Sequence, residues 1–240
     1  MPWWHAVAEC DHELQNPTSR EKIVLLGESL RLTAQSHVLD IACGKGGPAI
    51  ILAHEFGCRI TGVERAPEFV RAARKGVAHA GLDDRIEVVE HEATTFELEA
   101  ERYDVVLCLG ATFIWRDLSG TLEALTPAVR PSGHAAIGEV YLHKRIPDGV
   151  RGYEAFVSLS ETAARFADAG LELTAFIASS SDDWDRYESL HWRAVDDWLE
   201  ASPNDPDAEE FRRRNETYRR DYFEWSRETL GWGIFVARKR

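Results

Sequence analysis

The 240-residue chain is predicted to be an α/β protein built on a doubly wound, mostly parallel sheet, and three observations predict it. From Val38 onward, short apolar runs alternate with helical patterns, the order that covers both faces of a parallel sheet with helices. A glycine-rich stretch, "ACGKGG", lies where the first strand of that alternation turns into a helix. Asp40, Glu64, Glu92, Cys108 and Glu139 all fall at the carboxyl ends of predicted strands, where doubly wound folds bind their ligands.

Taken in order, "HVLDIA" is the first strand. Residues 46–56 read as a helix with Pro48 in its first turn and Gly57 just past its end, the placement that the fixed φ of proline and the free φ of glycine favour. "RITGVE" is the second strand. A helix then starts at Pro67 and stops before Gly81, with Phe69, Val70, Ala73 and Val77 at helical spacing. "RIEVVE" and "YDVVLCL" are the third and fourth strands. After a helix over 122–129, "PSG" turns the chain into "HAAIGEV", the fifth. Ser158 and Glu161 have capping-box spacing before "TAARFADAG", and "LELTAFIAS" is the sixth. The chain ends on a seventh apolar run, "GWGIFVARKR".

Between the last two strands the pattern is helical. Trp184, Tyr187, His191, Val195 and Trp198 share one face, and Phe211, Tyr218, Tyr222 and Trp225 follow in a second helix that Asp205-Pro206 would open as N-cap and first-turn proline. These aromatics read either as core between helices and sheet or as a lid over a site, and Trp3 and Trp4 in the N-terminal helical segment carry the same two readings. The whole is expected to be one domain over 1–240. It divides into an N-terminal helical cap (1–35), a core (36–180 and 231–240) and a helical insertion (181–230).

Acidic residues outnumber Lys plus Arg by 41 to 28, which argues against a surface that neutralises nucleic-acid phosphates or anionic lipid. Cys10, Cys43, Cys58 and Cys108 form no CxxC pair and read as free thiols in a reducing compartment, with cytoplasm the expectation. "MPWWHAVAEC" has neither a basic start nor a long apolar run, and no stretch approaches the ~20 apolar residues of a spanning helix. The nine histidines show no HExxH spacing, so no metal is expected.

Gly44-Lys45 suggests a phosphate loop, but Gly46 stands where Ser or Thr would reach a metal, and no glycine lies five residues before Gly44. An altered dinucleotide fingerprint survives as Ala42, Gly44 and Gly47. Glu64 could accept the ribose hydroxyls of any nucleoside. Asp40 beside the loop discriminates in part, because a carboxylate suits a cationic ligand and repels a pyrophosphate.

Together these stretches resemble the class I S-adenosylmethionine (SAM) dependent methyltransferases. The family's first motif looks like "VLDIACGKGG", its acid ending the second strand looks like Glu64 in "ITGVERA", and its acidic-Ala pair resembles Glu92-Ala93. "YDVVLCLGATFIW" and "LTPAVRPSGHAAIGEVY" are similar to the fourth-strand motif and to the helix, turn and fifth strand after it. The resemblance implies a seven-stranded sheet whose last strand is antiparallel between five and six. It also implies a cofactor site of Asp40, Ala42, Cys43, Gly44, Gly46, Glu64, Arg65, Glu92, Ala93, Cys108, Leu109 and Gly110, holding SAM and, after transfer, S-adenosylhomocysteine. Within that family "NPTSREKI", "LGATFIW", "WDRYES" and "LGWGIFV" resemble a little-characterised group of bacterial small-molecule enzymes, which would place the insertion and the N-terminal segment around a substrate pocket.

Methyl transfer from a sulfonium needs alignment above all and a base only where the nucleophile arrives protonated. Glu139, Tyr141 and His12 are the candidate catalytic residues, with His143 behind them. Trp115, Trp184 and Trp192 are candidates to line an apolar or cation-accepting pocket. The fourth strand has "CLGA" in place of the Asp/Asn-Pro-Pro-aromatic element associated with base methylation in DNA, so the expected acceptor is a small molecule. A NAD(P)-dependent oxidoreductase and a SAM-binding module without catalysis are the alternatives. Two local expectations follow for the loop. Ala42 should keep a negative φ, since its Cβ makes left-handed backbone costly, and Lys45 should point to solvent, away from a helix N-terminus.

Overall fold

The computed structural model describes residues 4–240; Trp3 lies outside them. Seven strands form one sheet in the order β3-β2-β1-β4-β5-β7-β6. They are β1 (His37–Ile41), β2 (Arg59–Glu64), β3 (Ile86–Glu90), β4 (Tyr103–Leu109), β5 (Val129–Leu142), β6 (Leu171–Ala178) and β7 (Leu230–Lys239). β1 pairs in parallel with both β2 and β4, and β7 runs antiparallel to both β5 and β6. The terminal apolar run therefore slots between strands five and six as the family resemblance implies.

The helices are α1 (Trp4–Ala8), α2 (Arg20–Ser29), α3 (Gly47–Phe56), α4 (Pro67–Ala80), α5 (Leu118–Leu125), α6 (Leu159–Asp168), α7 (Ser181–Ala201) and α8 (Ala208–Asp221). One face of the sheet packs Val38, Ile60 and Leu107 against Ile23, Ile51 and Val70 of α2, α3 and α4. The other packs Leu39, Val106 and Phe235 against Leu122 of α5 and Phe166 of α6. The strands are buried on both faces, which is why they read as continuous apolar runs. A smaller cluster of Trp4, Ala8, Val195 and Phe211 joins α1, α7 and α8.

Element ends depart from expectation where a side chain takes over a backbone group. Helix α5 begins four residues early, because Asp117 caps it by accepting from the Gly120 amide at 2.9 Å. Strand β5 begins at Val129, so "PSG" is an irregularity inside the strand, with Ser132 at φ 64°. Asp205 does not cap α8: its carboxylate accepts from the Asp207 amide at 2.9 Å in a turn, and the helix starts at Ala208. The Ser158–Glu161 capping box is present at α6. Helix α8 runs on into a π-helical turn, Tyr222–Ser226, which carries Trp225.

Candidate functional site

Strands β1 and β4 lie side by side, but the connections leaving them go to opposite faces of the sheet. A crevice opens at that switch point, beyond the carboxyl ends of the strands. It holds a cavity of about 380 Å³, within the range of small-molecule sites.

The glycine-rich turn forms its floor. Ala42, Cys43 and Gly44 line the cavity, and Ala42 has φ 56°. The expected negative φ is therefore wrong. The chain must reverse directly after β1, and two bonds hold it there: Cys43 N–H donates to Val63 O at 3.1 Å and Gly44 N–H to Glu64 Oε2 at 3.0 Å. Left-handed backbone at a residue with a Cβ costs roughly 1–2 kcal/mol, a strain that persists only where surrounding bonds over-determine it.

Asp40, near the carboxyl end of strand β1, lines this cavity and is 2% exposed, and its Oδ2 is buried without a hydrogen-bond partner among the described residues. Burial, helped by the neighbouring Glu64 charge, raises its pKa to about 7. A buried carboxylate with an unused oxygen is costly unless something cationic or donating meets it. Glu64 is better satisfied, since its Oε1 accepts from the Arg65 and Ala66 amides at 2.9 and 2.8 Å. Its Oε2 accepts the Gly44 amide, and Glu64 lines the cavity. Arg65 pairs with Glu92 at 3.2 Å on the exposed rim.

Ten of the twelve predicted cofactor residues line the cavity: Asp40, Ala42, Cys43, Gly44, Glu64, Arg65, Glu92, Ala93, Leu109 and Gly110. Two do not. Gly46, at φ 77°, caps α3, and a Cβ there would meet Ala73 of α4 at 3.3 Å; its smallness serves helix packing. Cys108 is fully buried in the core behind the crevice, where burial pushes its thiol up to about 12.

The N-terminal segment, expected around a substrate pocket, lies across the glycine-rich turn itself. Gln15 Oε1 accepts the Lys45 amide at 2.7 Å, and a Cβ on Gly44 would strike that same oxygen. A Cβ on Gly47 would strike Glu13 O at 2.1 Å, and Asn16 donates to Leu109 O at 2.9 Å beside Gly110. The loop glycines thus admit this strap as well as a ligand. Lys45 does not point to solvent: its ammonium donates to Glu9 O at 2.7 Å and Cys10 O at 3.1 Å, which ties the strap down. Burial, only partly offset by Glu9, lowers its pKa. Gln15, Asn16 and Lys45 make these bonds across thirty or more residues of sequence, so neither the two amides nor the partners of Lys45 carried a periodic signal.

The three candidate catalytic side chains are not brought together at the cavity. Glu139 is buried beside Val140, whose amide it accepts at 2.8 Å, and burial raises its pKa. Tyr141 packs among His143, Phe176 and Phe235, and burial raises its pKa too. His12 bonds through Nε2 to Tyr187 O at 2.9 Å, and burial, then the His191 charge, lower its pKa to about 4. None of the three lines the cavity. Trp115 packs with the α5 core instead of a pocket, whereas Trp184 and Trp192 line a second cavity under α7 and α8.

Fold and site together define a doubly wound protein with a buried acid at the crevice beyond its strand ends. A methyltransferase-domain family matches residues 38–133, which span β1 to the start of β5. A SAM-dependent methyltransferase of Geobacter sulfurreducens, crystallised with S-adenosylhomocysteine, superposes with a TM-score of 0.94 at 31% identity, over 100% of this chain and 99% of that one. Protein YjhP of Escherichia coli (strain K12) is 29% identical over 98% of each chain. A ubiquinone biosynthesis O-methyltransferase of Xanthomonas axonopodis is 27% identical over 82% of this chain and 87% of its own. The chain belongs to the class I SAM-dependent methyltransferases, and SAM is its cofactor.

Proposed function

We propose that the protein transfers the methyl group of SAM to a small diffusible acceptor, chiefly by positioning. The observation that carries this reading is Asp40, a buried carboxylate with an unpartnered oxygen at the floor of a nucleoside-sized cavity. Its charge would meet the ammonium of the methionine end. Glu64 would accept ribose hydroxyls, and Glu92-Ala93 and Leu109-Gly110 would flank the base. When bound, SAM supplies an activated methyl on a sulfonium. The residues of the chain fix the orientation and keep water out, and the strap of residues 9–18 closes the cavity on the loop side.

A small acceptor is supported by the excess of 13 negative charges, which disfavours polyanions, and by the name of the ubiquinone-pathway relative. Among the described residues no helix is long and apolar enough to cross a membrane. The test is incubation with methyl-labelled SAM and a fractionated cell extract. Label should appear in the low-molecular-mass fraction; label confined to nucleic acid or protein would overturn the reading.

A further inference from the structure

The second cavity, about 210 Å³, has room for roughly seven waters. It sits between α1, α7 and α8 and the π-turn, and His5, Glu9 and Tyr187 line both it and the cofactor cavity. The two cavities therefore adjoin at these three side chains.

The chemistry of its walls is specific. Trp4, Tyr153, Trp184, Tyr187, Trp192 and Tyr218 supply aromatic surface, and no lysine or arginine is among the lining residues. Two of these rings already carry a guanidinium from the chain itself: Arg214 stands 4.4 Å from the Trp4 ring centre and Arg219 5.6 Å from that of Trp192. Glu9 and Glu188 flank His191, each 3.9 Å away. Two carboxylates share one imidazole, so the trio is negative in either protonation state of His191. Asp221 adds a third carboxylate, paired with Arg220 at 3.0 Å. Aromatic faces with net negative charge attract cations. The indole nitrogens of Trp184 and Trp192 are buried and have no acceptor among the described residues, and such donors call for an oxygen.

We infer that this cavity is the acceptor site and that the acceptor is a small amine, cationic in solution, carrying an oxygen that accepts from the indole donors. This rests on the methyltransferase reading above. The ammonium gives one proton to solvent water as it enters, before the site closes; the freed lone pair then forms the nitrogen–carbon bond as the carbon–sulfur bond breaks, its electron pair staying on sulfur. The products are the N-methylated amine and S-adenosylhomocysteine.

Tryptophan fluorescence titrations at saturating S-adenosylhomocysteine test this, with choline as probe against 3,3-dimethylbutan-1-ol, which has the same shape and hydroxyl without the charge. Choline should bind at least tenfold more tightly than the neutral alcohol. Glu188→Gln and Trp192→Ala should each reduce choline affinity at least tenfold and leave S-adenosylhomocysteine affinity unchanged, with Trp192→Phe losing less than Trp192→Ala. Equal binding of the two probes, or no choline binding while S-adenosylhomocysteine binds, overturns the amine assignment alone. Failure of S-adenosylhomocysteine itself to bind overturns both readings.

Discussion

Replacing Asp40 by Asn separates what the site does for the ligand from what it costs the fold. In the ligand-free protein the Asp40 pKa rises from 3.8 to about 7. The folded state therefore holds a proton that the unfolded state has released between those values, so stability falls as pH rises from about 4 to 7. At 1.36 kcal/mol per unit, the full shift corresponds to about 4 kcal/mol of destabilisation at pH 8. The amide removes that charge but leaves its own buried donors unmet, at about 1–3 kcal/mol, so the net gain is about 2 kcal/mol. For a domain of this size that is a rise of roughly 4–8 °C in the unfolding midpoint. Thermal scans of both proteins at pH 5 and pH 8, with and without S-adenosylhomocysteine, read all the terms. Asp40→Asn should melt higher than the parent at pH 8 without ligand, show a smaller difference at pH 5, and gain little on adding ligand. In the parent, ligand stabilisation should weaken as pH falls below about 7, because the protonated carboxyl no longer attracts an ammonium. A variant that melts lower at pH 8 and is stabilised by ligand as strongly as the parent would refute the assignment of Asp40.

Three further outcomes follow from the geometry. Lys45→Met removes the donor to Glu9 O and Cys10 O, leaving two carbonyls at about 1–3 kcal/mol each if they stay buried; amide exchange over residues 9–16 should speed up before the sheet is affected. Gly47→Ala puts a Cβ 2.1 Å from Glu13 O, a backbone atom that cannot step aside locally, so ligand affinity measured by calorimetry should fall along with the melting temperature. Ser158→Ala deletes the α6 capping box and should cost about 1 kcal/mol, visible as a drop of roughly 2–4 °C with methyl transfer at 25 °C unchanged.

The parts legible in the sequence are those fixed by local backbone chemistry. Apolar runs such as Val105–Leu107 announce buried strands, Pro48 and Gly57 bracket α3, and acids at the ends of β1 and β2 fall into the crevice because strand ends in this fold converge there. What stayed hidden depends on distant polar contacts. Ala42 adopts φ 56° because Val63 and Glu64 hold the turn from the neighbouring strand, and Lys45 faces inward because two carbonyls of the strap await it. His12, a candidate base from the N-terminal segment, packs against Tyr187 and His191, residues far along the chain, and burial there lowers its pKa to about 4.

In this reading the crevice beyond β1, β2 and β4 holds SAM through Asp40 and Glu64. Calorimetric titration of S-adenosylhomocysteine and of NADH into the parent and Glu64→Ala decides this. One S-adenosylhomocysteine should bind per chain, that binding should be lost in Glu64→Ala, and NADH should give no heat; preferential NADH binding, or unchanged affinity in the variant, would mean that the ribose and its cofactor are misplaced.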